Sequence, residues 1–398
     1  VTAGDQFEVV IGSPAHGGTC VAHAPDGRVV FVRHALPGER VRVNVTSERS
    51  RHLFADAVEV LEPSADRVPA PCRYAKPGAC GGCDLQHVAL PAQRAWKAQV
   101  ITEQLVRLGG VNPSSLDVEV QALPDVDDTE PGLGWRTRVT YAVDRQGNAG
   151  LHPYHSRAVL PIELCPLAHP AVRSAPVLSR RWPRATSVEV AVGADREQIR
   201  ITERLSRGRR VTGPASLVEQ AAGQRFSVHG FWQVHPAAGD VLAAAVLELA
   251  AIKPGERALD LYAGAGLFAV TLAVAGAEVV AVEGDRQASA DAVANAEGLP
   301  VEVWHGPVDE ALDEWVATGA EGPDVVVLDP PRVGAGAEIT RKIAALGARA
   351  VVYVACDPAA LGRDVATFRD AGYGLSTVRA YDCFPMTHHV ECVALFER

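Results

Sequence analysis

The chain has 398 residues, a hydrophobic fraction of 47%, a charged fraction of 22% and a formal net charge of −10. That length gives room for roughly two or three ordinary globular domains, and the acidic balance excludes a protein that coats nucleic acid non-specifically, though not a local basic face. No run of about 18 uncharged apolar residues occurs, so no membrane span is expected. The start carries Asp5 and Glu8 and lacks a signal-peptide pattern, which makes a cytoplasmic location the expectation. The eight cysteines do not suggest a disulfide framework in so long a chain, which puts metal binding or catalysis first.

Phe7–Ile11, Cys20–His23, Val29–Val32 and Arg40–Val45 are predicted strands separated by Gly and Pro turns, and Phe54–Val60 alternates again. Evenly spaced short strands suggest a small β-barrel of the oligonucleotide-binding type over residues 1–62. Arg40 and Arg42, two apart, share a strand face. With Arg33, Arg49, Arg51 and His52 they form either a phosphate-facing patch or an ordinary solvated face. The proline-rich stretch Pro63–Pro71 is a linker.

Cys80 and Cys83 then stand in a C-x-x-C spacing that lets two thiolates reach one metal centre. Cys72 precedes them, and Cys165 is a candidate fourth ligand. Four thiolates suit tetrahedral zinc or an iron–sulfur cluster, and the spacing leaves both open. His87 is a weaker ligand candidate, and unliganded buried thiols are the bland alternative. Pro91–Leu108 reads as a helix stopped by Gly109-Gly110, with Ile101, Leu105 and Leu108 on one core face. Trp135–Val143, a partner at Leu151, Ser187–Val192 and Gln198–Thr202 are strands of a mostly β central region, residues 63–225. Arg204, Arg207, Arg209 and Arg210 form a basic run expected on a loop.

From about Ala237 helix and strand alternate, which predicts an α/β domain with a Rossmann-like sheet over residues 226–398. Val241–Ala251 is helical. The strand Arg257–Tyr262 leads into Ala263-Gly264-Ala265-Gly266 and a helix to Ala275, and Glu278–Val282 ends in Glu283. Asp324–Leu328 ends in Asp329-Pro330-Pro331-Arg332, and the β-branched run Val351–Ala355 delivers Cys356 ahead of Asp357-Pro358. Phe384–Phe396 is a loop entering a last strand. Asp260, Glu283, Asp329 and Cys356 thus fall at the carboxyl ends of successive strands, where open α/β sheets place their chemistry. The glycines also fit a dinucleotide fingerprint that ends in Ala, which would suit an NAD-dependent oxidoreductase. Asp260 just ahead of them tilts the reading towards S-adenosylmethionine.

Taken together these motifs resemble the 5-methyluridine RNA methyltransferases of the tRNA and 23S rRNA types. The resemblance runs through the N-terminal barrel, similar to the family's TRAM domain, Cys80-Gly-Gly-Cys83 with Gln86-His87, and Phe231-Trp232-Gln233-Val234-His235. It continues through Asp260–Gly266, Asp329-Pro330-Pro331-Arg332, Cys356-Asp357-Pro358 and Phe384-Pro385 to His389-Val390-Glu391. It implies Cys356 as nucleophile and Glu391 as general base. It implies S-adenosylmethionine held by Gln233, Tyr262, Glu283 and Asp329 beside Gly264 and Gly266, and Cys72, Cys80, Cys83 and Cys165 as ligands of a 4Fe–4S cluster. The expected partner is 23S rRNA or tRNA, bound by a monomer with no membrane contact. Cys383 and Cys392 are read as structural. Three positions depart from the family pattern: seven residues between Cys72 and Cys80 where five are more common, Asp357 in place of Asn, and His235 in place of Asn. A non-catalytic RNA-binding protein with a decayed site is the remaining alternative.

Overall fold

The computed structural model describes residues 1–319 and 321–398. At the N-terminus, Gln6–Val10, Thr19–His23, Val29–Arg33, Arg40–Glu48 and His52–Glu62, with the short strand Pro14–Ala15, form one six-stranded sheet. Alternate residues point inward, so Val30, Val32, Val41, Val43, Leu53 and Ala55 make its core. Arg40 and Arg42 do share a face, and that face is already neutralised. Arg40 reaches Glu62 at 2.8 Å and Glu8 at 3.0 Å, while Arg42 pairs with Glu8 and Glu59. Arg33 leaves the patch altogether: it is buried, 3.3 Å from Asp84, with its guanidinium over the Tyr154 ring. The solvated, carboxylate-paired reading of Arg40 and Arg42 therefore holds.

The first helix, α1 (Leu90–Arg107), has Pro at its first turn and no side-chain cap. Trp96 and Val100 on one side of it join the barrel core, while Ile101 and Leu105 join the core of the C-terminal domain. Between these faces lie two polar residues with no solvent contact. Gln93 donates to the Leu85 and Val88 carbonyls and accepts from the Met386 amide at 2.8 Å. Lys97 donates to Asp382 at 2.5 Å and to the Phe384 carbonyl at 3.1 Å.

The central region is a second six-stranded antiparallel sheet containing Arg138–Val143, Ala149–Leu151, Ala185–Val192 and Ile199–Leu205. The arginine run expected on a loop is instead a hairpin: Arg209–Thr212 pairs with Ile201–Arg204, turning at Gly208. Its charged side chains concealed the strand in the sequence, because alternation of apolar and polar residues was the signal sought. A further hairpin, Leu217–Ala221 with Gln224–Val228, turns on Ala222-Gly223, both left-handed, in the manner of a two-residue hairpin loop. Ala221, Phe226 and Val228 from it belong to the core of the C-terminal domain.

That domain is doubly wound. Strands β1 (Arg257–Leu261), β2 (Glu278–Glu283), β3 (Val301–His305), β4 (Val325–Leu328) and β5 (Ala350–Ala355) run parallel. Strands β6 (Gly374–Asp382) and β7 (Glu391–Glu397) follow, and the sheet order is β3-β2-β1-β4-β5-β7-β6, with Val120–Ala122 added at the β6 edge. β7 lies antiparallel between β5 and β6. Helices α2 (Ala238–Ala250), α3 (Leu267–Val274), α4 (Arg286–Asn295), α5 (Val308–Ala317), α6 (Gly336–Ala345) and α7 (Pro358–Asp370) cover the sheet. Every residue of β4 and β5 is buried, as parallel strands covered on both faces require. The elements expected from sequence, β1, β2, β4, β5, α2 and the end of α3, agree with these bounds to within a few residues, whereas β3, β6 and the helices α4 to α7 had no expectation.

No helix among the described residues is long and apolar enough to cross a membrane. Lys97→Met leaves Asp382 buried without its cation, so a loss of about 3–5 kcal/mol in unfolding free energy is expected. The double variant K97M/D382N should recover much of it, and urea denaturation of the set measures both.

Candidate active site

The all-apolar β5 ends at Cys356, and the chain turns at once because Asp357 caps α7, accepting from the Ala360 amide at 2.8 Å. β7 enters antiparallel with Ala355 opposite Cys392, so Glu391 lies opposite Cys356, one residue beyond that pair. β4 ends at Asp329, and the segment ahead of α2 supplies Gln233. Cys356, Glu391, Asp329 and Gln233 line one cleft of about 750 Å3. Trp135, Arg136 and Tyr154 reach the same cleft from the central region, and Phe231 stands on its rim, 71% exposed.

Three groups in this cleft oppose ionisation of one another. Burial, then the nearby Asp329, push the Glu391 carboxyl well above its usual range against the pull of Arg332. Burial likewise raises Asp329 to about 7. One Glu391 oxygen has no hydrogen-bond partner. Burial, then Glu391 and Asp329, push the Cys356 thiol up to about 12, with Arg332 acting in the opposite sense. Arg332 is held 2.7 Å from the His389 ring, which burial and its cationic neighbours keep neutral, with a pKa of about 3. His388 meets Asp84 at 2.5 Å. The resting cleft therefore contains a thiol and a Glu391 carboxyl that are both pushed towards their protonated forms.

The glycine turn lies beside this cleft in the sheet. Tyr262, Gly264 and Gly266 all have positive φ, at 64°, 56° and 90°. A side chain at Gly264 would meet no atom within 4 Å, so the turn is open on that side. Glu283 accepts from the Gly264 amide at 2.8 Å and the Asp285 amide at 2.6 Å. Asp260 accepts from Ala269 at 2.7 Å, and its second oxygen is buried and unpartnered. Tyr262, Gly264, Gly266 and Glu283 thus gather at the ends of β1 and β2 without lining the Cys356 cleft itself. An open glycine turn with an acid on each side fits an adenosyl ligand.

Cys72, Cys80, Cys83 and Cys165 line one smaller cavity. Gln86 accepts from the Cys72 amide at 3.0 Å, and the Gly82 amide donates to Cys80 at 3.4 Å. The Gln86 side chain bonds the Cys83 thiol, and the Arg136 Nε, also on a residue lining this cavity, is buried with no acceptor among the described residues. Four thiols with such donors around them fit a thiolate-bound group whose sulfurs accept hydrogen bonds. Among the described residues, no three His, Cys, Asp or Glu side chains converge as a single metal ion requires. His87 turns away, 3.5 Å from the Ala35 carbonyl.

His235, the second departure from Asn, is buried and stacks on Trp135 at 6.2 Å. Its Nδ1 accepts from the Ala237 amide at 3.2 Å, and burial lowers its pKa to about 4. A neutral imidazole here accepts from an amide in the turn just ahead of α2, which has no side-chain cap of its own. Cys383 and Cys392 are fully buried among apolar side chains, as expected of structural thiols. Arg136, Tyr154 and Asp84 carried no signal in the sequence, whereas Arg332 and His388 lay inside motifs already singled out.

The raised Asp329 carboxyl has a consequence for stability. Its folded value of about 7 lies above the ordinary unfolded value, so the native state binds a proton that the unfolded state releases. The corresponding stability is present at about pH 4 and is lost as pH rises through about 7. Asp329→Asn should therefore be more stable than the parent at about pH 8, with the difference shrinking towards about pH 4 in a urea-denaturation series.

The family model for the TRAM domain matches residues 1–58, and that for tRNA (Uracil-5-)-methyltransferase matches residues 322–398. A Streptomyces avermitilis protein, described only as an uncharacterized RNA methyltransferase, is 44% identical over 99% of this chain and 98% of its own. The 23S rRNA (uracil(1939)-C(5))-methyltransferase RlmD of Halomonas elongata is 34% identical, covering 98% of this chain and 89% of its own. In fold, the chain matches the Pyrococcus abyssi tRNA (uracil-54, C5)-methyltransferase, solved with S-adenosyl-L-homocysteine. The TM-score is 0.72 at 21% identity, over 97% of this chain and 99% of that one. These full-length similarities replace the dehydrogenase reading of the glycine turn. With the strand-end cleft and the barrel that precedes it, they place the chain in the RNA uracil-C5 methyltransferase family.

Proposed function

We propose that this protein methylates C5 of a specific uridine in structured RNA, using S-adenosylmethionine, through a covalent bond from Cys356 to C6 of the base. The placement of Cys356 and Glu391 opposite one another at the ends of antiparallel β5 and β7, in a cleft shared with Asp329, carries this reading. Both groups being present there counts against a decayed, binding-only site. Of the two RNA classes, 23S rRNA is favoured by the RlmD relatives, which match along nearly the full chain.

C5 of uracil is too weak a nucleophile to take a methyl group unaided. Addition of the Cys356 thiolate to C6 pushes the ring electrons onto C5 and O4, which makes C5 reactive. S-adenosylmethionine, held by Gln233, Tyr262, Glu283 and Asp329 near Gly264 and Gly266, supplies the electrophilic methyl group. Glu391 then takes the C5 proton, the C5–C6 double bond re-forms, and the Cys356–C6 electron pair leaves with sulfur. Glu391 takes that proton as the carboxylate, and its raised pKa makes that ionised form the stronger base. The target base has to leave its stack to enter a strand-end cleft, and the exposed Phe231 offers apolar surface at its rim.

The same reading assigns Cys72, Cys80, Cys83 and Cys165 to a 4Fe–4S cluster. Methyl transfer moves no electrons to or from a metal, so the cluster's work is structural or RNA-orienting. Gly82 and Arg136 line both its cavity and the catalytic cleft, which supports that role. The division into a barrel (1–62), a cysteine-bearing central domain (63–225) and a catalytic domain (226–398) belongs to this proposal.

Cys356→Ala should reduce methyl transfer to background and form no adduct. Glu391→Gln should lower turnover by about 10²–10⁴-fold while accumulating a denaturation-resistant protein–RNA species carrying the methylated base. Labelled S-adenosylmethionine with uridine-containing 23S rRNA and tRNA fragments measures both. Full activity in C356A would overturn the mechanism. C80S/C83S should lose bound iron and visible absorbance; iron content unchanged from the parent would remove the cluster assignment.

A further inference from the structure

Asp357 stands next to the nucleophile, and its charge is the one that persists. Glu391 and Asp329 are pushed towards their neutral forms. Burial acts on Asp357 in the same sense, but hydrogen bonds from His16 and the Ala360 amide outweigh it and hold the carboxyl down at about 2. Both Asp357 oxygens are engaged: one caps α7 at Ala360, and the other accepts from His16 Nε2 at 3.0 Å. His16 belongs to the N-terminal barrel, 341 positions away in sequence, and its ring meets His388 edge-on at 6.4 Å. His16, Asp357 and Cys356 line one small cavity, together with Lys97 of α1, His388 and His389.

The other charges at this point are already committed. Lys97 is paired with Asp382, His388 with Asp84, and Arg332 lies against His389. Cys356 itself faces Glu391, Asp329, Asp357 and Arg332. His16 is therefore the group bonded to the carboxylate beside the nucleophile, and it arrives from a different part of the chain.

We propose that His16 is a positioning residue for Cys356: its ring, hydrogen-bonded to Asp357, engages the carboxylate beside the nucleophile and so ties thiolate formation to seating of the barrel on the catalytic domain. The proposal rests on Cys356 being the nucleophile, which methyl transfer by C356A tests separately. It also gives a role to Asp357, the departure beside the nucleophile: its second oxygen is the one that His16 engages.

Site-resolved alkylation of Cys356 by iodoacetamide, on the full chain without RNA or S-adenosylmethionine, reads thiolate availability directly. His16→Gln should slow alkylation about threefold at a fixed pH. His16→Lys, which places a cation beside Asp357, should restore the rate. Asp357→Asn, which keeps an acceptor for the Ala360 amide, should speed alkylation, and H16Q in the D357N background should add no further loss. An H16Q effect that is equally large with and without D357N would overturn the proposal. So would an unchanged alkylation rate in D357N, which leaves the barrel untouched.

Discussion

The ion pair between Lys97 and Asp382 joins the parts of this molecule that its chemistry needs together. Both side chains are withdrawn from water, and each makes the other's burial tolerable. Lys97 lies on a helix whose two sides belong to different cores, one in the barrel and one in the catalytic domain. Asp382 ends β6, and the loop after it carries His388, His389 and the approach to Glu391. Gln93, one helical turn earlier on α1, fastens the same loop through the Met386 amide. The loop that leads to Glu391 is thus held in place by a helix nearly 300 residues upstream. Removing that anchor affects the site through position before it affects any charge.

Charge in the cleft is distributed by burial. A buried carboxyl that lacks a cation stays protonated, and two that face one another do so more strongly. Glu391 and Asp329 follow this rule, with Arg332 as the opposing cation. Asp357 escapes it because a helix amide and a histidine both bond to its charged form. The thiol beside them is consequently poor in thiolate at rest. How readily Cys356 ionises depends on which of these carboxyls is charged.

The sequence was most informative where one residue type performs one local task. The all-apolar run before Cys356, the proline after it and the glycines after Asp260 each declared strand end or turn by chemistry alone. It was least informative where a polar side chain serves a distant segment. Arg33 could be read as a surface cation, yet it is buried under Tyr154. Arg209 and Arg210 hid a strand because charge broke the alternation that marks one. His235 stood out as a departure, and only its bond to the Ala237 amide explains the residue.

From the sequence by itself came the α/β catalytic domain, five of its strands, the nucleophile and base candidates and the four thiols. These are local properties: periodicity sets the element, and the residue that ends a strand is exposed to whatever gathers there. The tertiary structure decided what meets what. It brought Glu391 opposite Cys356 by reversing the direction of β7, and gathered Cys72 and Cys165 with the C-x-x-C pair. It neutralised the barrel arginines with glutamates on neighbouring strands, and set His16 on Asp357. Spacing along a chain carries no information about such pairings, because strand order and register are settled by packing across the whole sheet.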